Sequence, residues 1–213
     1  MTQGIIQKAQ SFARDDSGAS LVEFGLIVSM MLFLVFGLID FGRLGFSYVM
    51  AQKATERAVR EAVVRSPACP NVPLLNGQGG SVVQGGAFGF GAQCSQQLGL
   101  CADPGLASCT AENGTAVASE IFEQVRALLP TNATPANLYF SYAFEPDFGF
   151  LGGPYTPLVT VEIIDLDFEF VTPMGALGTL VGANTNGDLG DAIGFPNMSN
   201  SLPAEILNDG ESA

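Results

Sequence analysis

The chain reads as an α+β protein. A long N-terminal transmembrane and amphipathic helix leads into a small disulfide-containing head of antiparallel strands and a helix, a lollipop in outline. Three observations predict this: sixteen uncharged, mostly apolar residues from Phe24 to Ile39, a sharp change in charge after Arg65, and four cysteines confined to positions 69–109. Seven of the eight basic residues lie at or before Arg65, which leaves residues 1–65 at +1 and the remainder at −14. Such a break separates two physical environments, and the acidic distal part excludes nucleic acid as a partner, because phosphates demand Lys and Arg.

The apolar segment comes first. Ala19 to Ile39 spans about 32 Å as an α-helix, enough to cross a hydrocarbon core of about 30 Å. A core helix is seldom apolar on every side, as residues 26–36 are. A cleaved secretory signal is the alternative, with Val49-Met50-Ala51 as a cleavage region; Asp40 and Arg43 intervene, and the run exceeds the usual h-region. Within this segment Glu23 stands alone as a carboxylate. A charge in a membrane helix is expensive, less so near the interface, and marks a functional site by default.

The helix is expected to continue into water as far as Arg65 and to end near Ser66-Pro67. Glu56–Arg60, Arg57–Glu61 and Glu61–Arg65 are placed for i,i+4 support. A stripe of Leu44, Tyr48, Ala51, Thr55, Ala58 and Ala62 requires a surface to lie on, and both the chain's own head and neighbouring subunits are expected to provide it.

Residues 66–112 form a Gly/Cys-rich loop region. An even number of cysteines (Cys69, Cys94, Cys101, Cys109) in an exported segment reads as disulfides, with three connectivities open. Zinc is the rival reading, and it is weakened by the absence of histidine and of any Cys-x-x-Cys. Cystines place the distal part outside the cytoplasm, whereas the flanking basic residues do not decide orientation.

The α+β head is expected over 113–180. Thr115 to Leu129 reads as a helix with Thr115 as N-cap, Val117, Ile121, Val125 and Leu128 on one face, and Pro130 as stop. Residues 138–144 and 158–171 read as strands, the second with a β-bulge at Ile163–Ile164 where the apolar alternation changes phase. Asp165, Asp167 and Glu169 then line a solvated face, with calcium as a lesser alternative; the stretch Asn184 to Asp191 is loosely calcium-loop-like. Residues 181–213 are expected to be a loosely ordered acidic tail.

No catalytic constellation emerges. Without histidine there is no Ser-His-Asp or Cys-His pair, so the protein is not expected to be an enzyme, and no cofactor or metal is expected.

Gly18-Ala-Ser-Leu-Val-Glu23-Phe24, the apolar run, and Phe36-Gly-Leu-Ile-Asp-Phe-Gly-Arg43 closely resemble the TadE-like domain of minor pseudopilins in the Tad (Flp-type) branch of type IV pili. The resemblance covers residues 17–65. It implies a prepilin-type leader, 1–18, cut between Gly18 and Ala19, followed by a TadE-like helix at 19–65. Glu23 would neutralise the new amine on Ala19 or on a neighbouring subunit during assembly. The implied partners are other pilin or pseudopilin subunits, an inner-membrane pilus assembly platform, a prepilin peptidase and membrane lipid. The implied location is single-pass in the bacterial inner membrane, with the head outside the cytoplasm, in the filament or at its tip. The alternative is a permanently anchored, unprocessed extracytoplasmic binding or envelope accessory protein of the TadG-like kind.

Overall fold

The structure, a computed structural model, describes residues 19–80, 88–171, 192–205 and 207. Two compact units partition the chain. Helix α1 (Ala19–Ala62) runs unbroken through 44 residues, about 66 Å of rise, and supplies residues to both.

The first unit contains α1 up to Arg43 together with Phe170–Asp191. Its helical part has nearly all of its large apolar side chains exposed, from Leu21 and Val22 to Ile39 and Phe41. Ser29 Oγ donates to the Gly25 carbonyl at 2.7 Å, so this polar residue is satisfied within the helix. The Phe170 ring meets Phe41 edge-on, with centroids 6.2 Å apart.

The second unit is built on a four-stranded antiparallel sheet, order β1-β2-β3-β6, made of β1 (Ala107–Thr110), β2 (Leu138–Ala143), β3 (Leu158–Ile163) and β6 (Met198–Pro203). In β2 and β3 the period-2 alternation buries Leu138, Phe140 and Tyr142 beside Ile163, Val161 and Val159. On β6 the same face carries Met198, Asn200 and Leu202. Each large apolar side chain fully removed from water here contributes roughly 1.5–3 kcal/mol. The opposite face stays partly wet, with Thr160 and Ser201 sharing a cross-strand hydrogen bond at 2.8 Å.

The distal half of α1 lies against the apolar face. Ala51, Ala54, Thr55, Ala58 and Ala62 are all fully buried, and Asn200 Nδ2 donates to Thr55 Oγ1 at 2.6 Å. The chain's own head therefore takes the predicted stripe from Ala51 to Ala62, while Tyr48 stays exposed and Leu44 half-buried. Small side chains let the helix sit close to the strands. The helix ends at Ala62, slightly before the expected Arg65, and Glu205 N donates to the Val63 carbonyl just past its end. Glu61–Arg65 forms as expected at 3.0 Å, and Arg65 also reaches Glu120 at 3.1 Å. Glu56 pairs instead with Lys53, whose ammonium holds its carboxyl below the usual range.

Helix α2 (Ala116–Val125) buries Ala118, Ile121, Phe122 and Val125, with Val117 and Leu128 only half-buried. The stripe is rotated from the expected one toward Phe122, whose ring is buried beside Ile121 and Val125. Thr115 occupies the N-cap, but its hydroxyl donates to the Pro67 carbonyl at 2.9 Å instead of capping the helix.

Three expectations are corrected. Residues 158–171 do not form one bulged strand. The chain breaks at Asp165, which has φ 49°, and β4 (Asp167–Glu169) pairs with β5 (Ala192–Gly194) in a separate two-stranded sheet. Aspartate tolerates this left-handed conformation, so the phase change marks a turn between sheets. The 181–213 tail is not loosely ordered over 192–203, where β5 and β6 form; Pro203 is tolerated at the end of an edge strand. The sheet also takes strands from outside 113–180, since β1 and β6 flank that segment in sequence.

Candidate functional site

Helix α1 presents the apolar span, and the first described residue, Ala19, begins it; Gly18 lies outside the described residues. Its most apolar 18-residue window has a mean hydropathy of 2.4, and none of it is buried within the chain. By length and composition this helix can cross a membrane. Glu23 projects from it exposed, about 6 Å along the axis from Ala19, and forms no ion pair among the described residues.

At the distal end of the span, Asp40 is fully buried, and its carboxylate lies 3.5 Å from the Arg43 guanidinium. The sequence placed Asp40 within a motif without indicating its burial. The i,i+3 spacing to Arg43 signals the pairing but not the burial. Between them, Glu23 and Asp40 bracket the uncharged run, one exposed near its start and the other buried after its end.

The cysteines resolve to Cys69–Cys109, with Cα atoms 5.5 Å apart, and Cys94–Cys101, at 5.2 Å. The first joins the segment leaving α1 to strand β1, next to Ala68, whose N–H donates to the buried Tyr142 hydroxyl at 2.9 Å. Burial pushes the Tyr142 phenol up to about 12. The second closes a seven-residue step in the Gly-rich lobe and packs with Leu100 and Leu151. There the chain folds back tightly enough that a side chain at Gly79 would collide with the Gly99 carbonyl.

Among the described residues no group of three or more Cys, Asp or Glu is placed to hold a metal ion. Asp165, Asp167 and Glu169 are exposed, and the Asn184–Asp191 stretch lies outside the described residues.

Fold and site together define a class: a disulfide-stapled α+β head with an N-terminal helix able to span a membrane. Residues 18–60 match the family model described as TadE-like protein, so the chain carries a TadE-like segment, and this supports a Tad pilus-associated role. The match includes Gly18, Ala19, Glu23 and the Asp40–Arg43 pair. No curated protein and no solved structure matches the chain.

Proposed function

We propose that this protein is a processed minor pseudopilin that acts, without catalysis, in assembling a Tad pilus. One observation carries the reading: a carboxylate, Glu23, stands exposed and without an ion pair among the described residues, near the start of a helix whose most apolar 18-residue window is unburied. In lipid such a group requires a cation, and the apolar surface around it requires either acyl chains or neighbouring helices.

Cleavage between Gly18 and Ala19 by a prepilin peptidase supplies that cation. The new Ala19 amine would lie about 6 Å of helix rise from Glu23, an attraction of about 3 kcal/mol at an effective dielectric near 20. The amine of an adjacent subunit, at contact distance, would be attracted more strongly. The pairing then rewards one register between subunits, and lateral helix packing supplies the remaining energy. The subunit starts in the bacterial inner membrane with its disulfide-bearing head outside, and its partners are other pilin subunits and the assembly platform.

A Glu23→Gln substitution tests this reading. It keeps shape and span, so the variant is expected to insert in the membrane and fold its head while its incorporation into the pilus complex falls at least tenfold. Incorporation at the wild-type level would remove the electrostatic basis of the proposal.

A further inference from the structure

The solvent face of α1 beyond the span has a composition unlike the rest of the second unit. Val49, Lys53, Arg57 and Arg60 follow one another at steps of four, four and three, so they form a single stripe. All four are exposed, and the stripe lies opposite buried Ala51, Ala54, Thr55, Ala58 and Ala62. Lys53 is bonded to Glu56, while Arg57 and Arg60 form no ion pair among the described residues. This is a basic ridge on a molecule whose residues after Arg65 sum to −14.

We infer that this ridge docks the acidic head of a second copy of the chain, through the carboxylates of Asp165, Asp167 and Glu169. Those three side chains are exposed and form no ion pair among the described residues. Asp167 and Glu169 stand on one face of strand β4, about 7 Å apart, with Asp165 at the turn just before it. Arg57 to Arg60 covers about 5 Å of helix rise, a spacing of the same order as that of the two carboxylates. Head-to-head contact is disfavoured by like charge, and ridge-to-ridge contact for the same reason, which leaves ridge-to-head. Because the two surfaces differ, the contact is heterologous and each copy keeps one of each free, so copies can add in an open series.

The contact requires neither leader cleavage nor a pilus, so it can fail while the pseudopilin reading stands, and the reverse also holds. The full chain in nanodiscs or micelles, labelled for energy transfer between copies, provides the test. Self-association is expected at low salt and is expected to weaken at about 1 M salt, where the Debye length is about 3 Å. Arg57→Glu with Arg60→Glu, and separately Asp167→Lys with Glu169→Lys, are each expected to weaken association about tenfold. Mixing the two variants should restore it, because each presents the complement of the other. The substituted residues are exposed, and unchanged near-ultraviolet dichroism verifies the fold. A wild-type chain that stays monomeric at low salt, variants that associate like wild type, or a mixture that does not recover would each overturn the inference.

Discussion

Thr55 is the point at which the helix and the head are joined by a buried polar contact, and Thr55→Val probes that junction directly. The hydroxyl donates to the Gln52 carbonyl at 2.9 Å and accepts from Asn200 Nδ2 at 2.6 Å, and Thr55 is fully buried. Valine keeps the shape and β-branching, so packing changes little. The loss is the acceptor, which leaves one N–H of half-buried Asn200 without a partner, at a cost of about 1–3 kcal/mol. Adding Asn200→Leu removes the orphaned donor, and the double variant should regain most of the loss, giving a coupling of about 1 kcal/mol. Urea unfolding of the full chain in micelles, followed by near-ultraviolet dichroism of its four tyrosines, measures both. A single variant within about 0.3 kcal/mol of wild type, or two losses that simply add, would refute the claim that α1 forms a wall of the head's own core.

Opening Cys69–Cys109, which closes a 40-residue separation, should cost about 4 kcal/mol by chain entropy, against about 2.5 kcal/mol for Cys94–Cys101 with its separation of seven. Paired Cys→Ser variants compared by urea unfolding give the order, and equal losses would contradict it. Burial pushes the phenols of Tyr142 and Tyr155 up to about 12, with the Asp103 carboxylate adding to the effect at Tyr155. Their unfolded values lie near 10, so this contribution is fully present below about pH 10 and is lost as pH rises toward 12, by up to about 3 kcal/mol for Tyr142 and by less for Tyr155, where solvent screens part of the effect. Stability measured from pH 9 to 12 should therefore fall, and Tyr142→Phe should flatten part of that fall. Gly79→Ala should destabilise the Gly-rich lobe by about 2 kcal/mol or more, because the added methyl meets the Gly99 carbonyl and lies 2.8 Å from the Cys101 carbonyl oxygen; unfolding midpoints check it.

The span was legible because sixteen uncharged residues, mostly apolar, admit few structures, and the stripe through Ala51, Thr55, Ala58 and Ala62 because helical spacing survives any tertiary context. Strands β2 and β3 show clean alternation and were legible for the same reason. Strand β6 was not, since Ser-Asn-Ser between Met198 and Leu202 has the composition of a loop, and its inward Asn200 is explained only by Thr55, 145 residues away. Strand β1, Ala-Ser-Cys-Thr, carries no apolar pattern and is located by its pairing with β2 and the bond to Cys69. The phase change near Ile164 was visible, but alternation alone does not separate a bulge from a turn into another sheet. At the site, Glu23 was legible as a lone charge in an apolar run, whereas the burial of Asp40 depends on folded geometry that spacing does not encode.

The mass of the mature N-terminus, taken from protein in native membranes, tests the central claim most directly. A chain beginning at Ala19 with a free amine is the predicted result, because only then does Glu23 gain the cation it needs in lipid. A chain that retains Gly18 and the residues before it would contradict the account.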